Sequence, residues 1–175
     1  MSVYRFNTVN EIRVGLGASL ELAEICSRLG VNRPIVVTDK GLMTLNVVSS
    51  VLEGLSEVLE SVALFSGVIA DPPESVVFEA LETLQEETAD GVIGLGGGSS
   101  MDVAKAISIL AEGQQSLHEL YGLDQVAGGR LPLILVPTTA GTGSEVTPVA
   151  VITTGETTKA GISSSVLLPD VAVLD

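Results

Sequence analysis

Basic residues are scarce in this chain: 8 lysines and arginines stand against 22 acids, giving a formal net charge of −14. Nucleic-acid binding needs clustered cations on one face, and this composition excludes it. An anionic membrane surface is excluded on the same ground. A small phosphate ligand is not. Charges are screened beyond about 8 Å at physiological salt, so a few local donors can outweigh a distant negative surface.

Cysteine and histidine occur once each, as Cys26 and His118. A single cysteine forbids an intrachain disulfide and a Cys-rich metal site, and it suits a reducing, cytoplasmic compartment. Cys26 falls among the apolar residues of an expected helix and reads as a buried, inert thiol. One histidine cannot supply a His-based metal centre, and His118 reads as a surface or half-buried helix residue. No apolar run approaches the about 18 residues of a membrane span, and MSVYRFNTVN lacks the apolar core of a signal peptide. Aromatic residues make up only 3% of the chain, against 46% hydrophobic residues in all. The core must therefore be built from Val, Leu, Ile and Ala. There is no Ser/His/Asp or Cys/His arrangement, and no strong general base lies beside the glycine-rich segments.

What is present is an alternation of strands and helices. VYRFNT and EIRVG read as two short strands, an N-terminal hairpin. LELAEICSRLG reads as a helix through Leu22, Ile25, Cys26 and Leu29 that stops at Gly30. The strand RPIVVTD ends in Asp39. LMTLNVVSSVLEGL has a helical face through Leu45, Val48, Leu52 and Leu55. The strand SVALFSGV follows, then a turn at Asp71, Pro72 and Pro73. The next helix, over 73–90, places Val77, Ala80, Leu81 and Leu84 inward. GVIGLG is a strand, SSMDVAKAISILAEG a helix, SLHELYG a short helix or turn, and LPLILVP a strand. VAVITT, KAGISS and a final VAVLD complete the chain. Several strands are continuous apolar runs, which calls for a mostly parallel sheet covered on both faces. The fold class expected is α/β, Rossmann-like, a single domain over residues 1–175.

Two segments stand out at strand ends. In the first, Gly96, Gly97, Gly98 and Ser99 follow an apolar strand and open a helix. Bare backbone there lets a bulky anion approach, and the helix start offers free N–H groups and partial positive charge. The spacing is not the usual G-x-G-x-x-G, because Ser99 stands where the third glycine would fall, and no acid is placed about 20 residues on after a next strand. Asp102 has two readings, a cofactor contact or the second half of a capping box with Ser99. In the second segment, Thr138, Thr139 and Thr142 cluster with Gly141 and Gly143 after LPLILVP. These neutral donors suit a ribose, a pyrophosphate or a carboxamide; the alternative is a polar loop with satisfied turns. Asp39, at the end of its strand, can accept from a ribose diol and would repel a 2′-phosphate, favouring NAD over NADP. It could equally cap the helix that follows.

Together, GGGSSMDVAKA at 96–106 and PTTAGTGSEVT at 137–147 resemble the two signature loops of the iron-containing (group III) alcohol dehydrogenases. VTDKGL at 37–42, Lys159 and the ending LLPDVAVLD fit in order and spacing. The resemblance covers the whole chain. It implies a two-domain, NAD(P)-dependent oxidoreductase that interconverts alcohols and aldehydes. The N-terminal half would bind the dinucleotide and a helical C-terminal half would hold Fe²⁺ or Zn²⁺. By position, Asp39 would take the adenosine ribose, and Gly96 to Ser99 with Asp102 would surround the pyrophosphate. Thr138, Thr139 and Thr142 would line the cofactor, and Lys159 would reach the nicotinamide ribose.

The family's metal ligands, an aspartate and three histidines, belong to the helical domain expected after Asp175. The expectation is thus an NAD-binding domain that is inactive alone, with a free-standing, non-catalytic nucleotide-binding module or partner subunit as the alternative. An apolar face left by the second domain would drive homo-oligomers. Glycerol dehydrogenase and dehydroquinate synthase share the two-domain plan, but the Thr-Thr-Ala-Gly-Thr-Gly-Ser-Glu loop fits the alcohol dehydrogenase branch better.

Overall fold

The structure is a computed structural model that describes residues 7–175. Its main sheet contains six strands: β1 (Glu11–Val14), β2 (Pro34–Asp39), β3 (Ala63–Val68), β4 (Gly91–Gly96), β6 (Leu133–Pro137) and β9 (Val171–Leu174). Their order is β1-β9-β6-β4-β2-β3, and every pairing is parallel. A second sheet holds β5 (Gly122–Leu123), β7 (Val149–Thr154) and β8 (Thr158–Ser163) in the order β5-β8-β7, with β7 and β8 an antiparallel hairpin. The helices are α1 (Leu22–Arg28), α2 (Asn46–Ser56), α3 (Glu74–Glu86), α4 (Gly98–Glu112) and the one-turn α5 (Leu117–Leu120).

The apolar runs of the central strands follow from burial on both faces. Successive side chains of a strand point to opposite faces, and the core divides accordingly. Ile35, Val37, Val92, Leu133 and Leu135 pack towards α3 and α4. Val36, Ile93, Leu95, Ile134, Val136, Val171 and Val173 pack towards α1 and α2. The result is a doubly wound sheet, as the apolar strands required.

Local differences from the sequence reading have simple causes. Of the first strand of the N-terminal hairpin, residues 3–6 lie outside the described residues, and β1 pairs in parallel with β9 at the sheet edge. On α2 the buried positions are Val48, Val51 and Leu55, while Leu45 precedes the helix in extended backbone and is half exposed. A 3₁₀ turn over Leu42–Thr44 takes up the start of that segment and shifts the helical phase. On α3, Val76 is buried with Val77, Ala80 and Leu84, and Leu81 sits at the margin of the core. Gly30 follows α1 with φ +76°, the left-handed stop that its position required.

α4 is the most deeply enclosed helix among the described residues, with an unbroken buried stretch from Val103 to Ile109. It lies between β4, α3 and the β7–β8 hairpin. Small residues permit this: a Cβ added at Gly94 would stand 2.9 Å from the Ala104 Cβ.

The chain runs outward from β2 to β3, then returns past β2 to β4 and continues through β6 to β9. The direction of winding therefore reverses between β2 and β4. Open α/β sheets bind ligands in the crevice outside the carboxyl ends of the strands at such a reversal.

Candidate functional site

That crevice carries Asp39 at the end of β2 and the glycine segment at the end of β4. β4 finishes at Gly96, whose φ is +155°; a Cβ there would meet the Ser100 Oγ at 2.6 Å. Gly97 is extended and α4 begins at Gly98 with no side chain capping its first turn. The free N–H groups of that turn are thus left to face the cleft. Asp39, Gly97, Gly98, Ser99 and Thr139 line it, with Gly67 to Ala70 from the end of β3 as the far wall. That wall was not anticipated from the sequence, although a glycine at the carboxyl end of a strand, in SGVIA, was the available signal.

Asp39 holds the turn that follows β2 and also lines the cleft. Its Oδ1 accepts from the Leu42 N–H at 3.1 Å.

The second loop lies directly against the first. The Thr138 N–H donates to the Gly96 carbonyl at 3.0 Å. A Cβ on Gly98 would meet the Thr142 Cγ2 at 3.1 Å, and one on Gly97 would meet the Thr139 Oγ1 at 3.5 Å. The two loops therefore form one continuous rim. A neighbouring cleft is lined by Ser99, Asp102, Thr142, Ser144 and Val151. A third, beside Thr138 and Thr139, reaches Glu145 and Asp175.

Asp102 does not complete a capping box with Ser99. Its Oδ1 accepts from the Ser144 hydroxyl at 2.6 Å and its Oδ2 from the Val151 N–H at 3.0 Å. The side chain points along α4 towards the second loop, so it ties two segments together instead of closing its own helix end. A capping box is formed instead at α5, between Ser116 and Glu119.

Lys105, one turn further along α4, is fully buried. Its Nζ donates to the Ser144 Oγ at 3.0 Å, the Thr147 carbonyl at 2.9 Å and the Val149 carbonyl at 2.8 Å. All three ammonium protons are thereby used. Burial pulls its pKa down to about 8 against the opposing pull of Asp102 and Glu145. Burial pushes the Asp102 carboxyl up, while the Ser144 hydroxyl, Lys105 and the Val151 N–H hold it down. Lys105 was not singled out in the sequence, although a lysine three residues after Asp102 in the otherwise small and apolar VAKAISILA was a usable signal.

The structure thus brings together Asp39, Gly96, Gly97, Gly98, Ser99, Asp102, Thr138, Thr139 and Thr142. Lys159 stands apart from them on β8. Its Nζ pairs with the Asp71 Oδ1 at 2.6 Å, with both side chains more than half exposed. His118 is largely exposed, with Nδ1 3.6 Å from the Glu74 Oε1. Cys26 is fully buried, and burial pushes its thiol pKa up to about 12, with the Asp90 carboxylate adding to the shift. Among the described residues no three of His, Cys, Asp or Glu converge on a point that could hold a metal ion. No helix among them is long and apolar enough to cross a membrane.

The family described as iron-containing alcohol dehydrogenase matches residues 10–175. A 4-hydroxybutyrate dehydrogenase of Cupriavidus necator is 37% identical over 171 residues, covering 95% of this chain and 44% of its own. The crystal structure of a 1,3-propanediol oxidoreductase superimposes with a TM-score of 0.95 at 34% identity, over 99% of this chain and 46% of the other. A sulfoacetaldehyde reductase from Bifidobacterium kashiwanohense, solved in complex with NAD⁺, gives 0.87 at 29% identity over 100% and 46%. The chain thus spans less than half the length of the relatives it matches.

Proposed function

The chain belongs to the iron-containing alcohol dehydrogenases, and we propose that it is the dinucleotide-binding part of such an enzyme, with NAD as its cofactor. The observation that carries this reading is the cleft at the winding reversal, where the uncapped start of α4 meets Asp39 across the glycine segment. The residues fit a dinucleotide. Gly97 and Gly98 leave open backbone where side chains would fill the space between the loops. The NAD⁺ complex of the sulfoacetaldehyde reductase supports the choice of cofactor.

In this reading Asp39 accepts from the adenosine ribose, keeping its bond to Leu42 while disfavouring a 2′-phosphate. The backbone from Gly96 to Ser99 receives the pyrophosphate, whose charge the helix start offsets. Thr138, Thr139 and Thr142 present hydroxyls along the other rim. Both oxygens of Asp102 are engaged by the protein, so its part is to hold the rim in place rather than to meet an anion. Lys159 reaches the nicotinamide ribose by leaving Asp71, an exchange between exposed groups that costs little.

The described residues do not fit a catalytic Fe²⁺ or Zn²⁺, and no hydride-transfer step is assigned to them. We place the metal, the alcohol or aldehyde and the turnover with the remainder of the family's length, in a second, helical domain. The 175-residue chain then binds cofactor in a cytoplasmic setting without oxidising alcohols. Exposed apolar side chains at Val14, Leu16 and Leu20 support its self-association. A thermal-shift series tests the reading. NADH at about a hundred times its Kd should add about 2.7 kcal/mol of stability, and primary alcohols should yield no NADH from NAD⁺. An unfolding midpoint unmoved by NADH, or alcohol-dependent NADH formation by the chain alone, would count against it.

A further inference from the structure

We propose that Lys105 is a positioning residue for the cleft that adjoins the nucleotide cleft at Gly98 and Ser99: from behind its wall Lys105 fixes the segment from Ser144 to Val149 on α4, and it touches no ligand. Lys105 and Asp102 stand three residues apart on one helix, hence on one face. Between them they engage the Ser144 hydroxyl from both sides, which donates to Asp102 and accepts from Lys105. Lys105 then reaches past Ser144 to the carbonyls of Thr147 and Val149, while Asp102 takes the N–H of Val151. Five hydrogen bonds from two residues of α4 thus determine the path of the chain from the second loop into β7.

The segment so held is the outer wall of the cleft beside Ser99, which Thr142, Ser144, Thr147, Val149 and Val151 line together with Asp102. Lys105 does not line it. The loop itself contains Gly141 and Gly143 at positive φ, which impose little stiffness of their own. An ammonium group with all three protons committed to one loop supplies the stiffness. A buried cation is costly to desolvate, and an apolar side chain would fill the same space without that cost. Its placement is therefore better explained by the register it imposes than by the stability it adds.

The effect on nucleotide binding rests on the reading given above; the effect on the loop does not. Lys105→Met keeps the length and removes the ammonium, leaving the Thr147 and Val149 carbonyls without their donor. Amide hydrogen exchange from Ser144 to Val151 should become about tenfold faster or more, with β4 and α3 unchanged. NADH, followed by its fluorescence well below the unfolding midpoint, should bind about ten- to a hundredfold more weakly. A purely structural lysine would lower the midpoint and leave the NADH Kd of the folded fraction untouched. Ser144→Ala, which spares the two carbonyl bonds, should move both readouts in the same direction by less, and it decides the matter if Lys105→Met does not fold. Wild-type exchange in the loop of the folded variants would overturn the proposal, as would faster exchange with an unchanged NADH Kd. If the wild-type chain itself binds no NADH, the nucleotide reading fails, and the loop exchange still decides whether Lys105 fixes this wall.

Discussion

Gly94 and Ala104 pack backbone to side chain at the centre of the molecule. A Cβ added at Gly94 would stand 2.9 Å from the Ala104 Cβ and 2.7 Å from the Leu135 Cδ2. This close approach seats α4 on β4 and so aims the start of the helix at the cleft. Gly94→Ala must push the helix away or displace Leu135 in a packed core. The expected cost is about 1–3 kcal/mol, read as a lower midpoint in urea unfolding. An unchanged midpoint would mean that α4 is not seated by this contact.

In the function proposed above, Asp39 discriminates between cofactors by charge, while one of its oxygens holds its own turn. Asp39→Asn keeps an acceptor for the Leu42 N–H, now 3.1 Å away, and removes the negative charge. Stability should change by less than about 0.5 kcal/mol. NADH should bind about tenfold more weakly, since hydrogen bonds to charged groups contribute about 1.5–3 kcal/mol, and NADPH should bind better than it does to the unaltered chain. Calorimetry with the two cofactors measures both. An unchanged ratio of the two affinities would remove Asp39 from cofactor choice.

Lys105 gives the molecule an alkaline signature. Its ordinary pKa of 10.5 falls to about 8 in the folded chain, where Asp102 and Glu145 are the charged groups that pull the other way. Between about pH 8 and 10.5 the unfolded chain therefore holds a proton that the folded chain has released. Stability from this group rises with pH across that window, with a limiting slope of about 1.4 kcal/mol per pH unit. Below pH 8 both states are protonated and the contribution is flat. Unfolding curves at pH 7.5, 9 and 10 should show this rise in the unaltered chain relative to Lys105→Met. Parallel pH dependences in the two would contradict it.

Cys26 should be inert in the folded protein. The thiol has no exposed surface, and its pKa is pushed up to about 12, whereas thiolate is the reactive form. Labelling by a disulfide reagent at pH 8 should proceed only as the chain unfolds, and immediate labelling of the native protein would show that the α1 face of the sheet opens locally.

The parallel sheet was legible because its central strands are bare apolar runs, PIVV and LILV among them, that only two covered faces can satisfy. The glycine loops were legible from their place at strand ends. Long-range partners were not. Asp102 followed Ser99 at capping-box spacing, yet its hydrogen bonds go to Ser144 and Val151, some forty residues on, where no local periodicity could point. Lys105 escaped notice because a lysine on a helix is ordinarily solvated, and only the packing of β7 against α4 makes this one buried. Lys159 matched the family in position, but its pairing with Asp71 depends on how the β7–β8 hairpin docks, which the sequence pattern does not encode.

The most direct test of the central claim is a calorimetric titration of the 175-residue chain with NADH, with NADPH as the comparison. Saturable binding of NADH at one site per chain, with NADPH clearly weaker, is the predicted result. Equal binding of the two would contradict the role given to Asp39, and no binding of either would contradict the assignment of the cleft between β2 and β4 as a dinucleotide site.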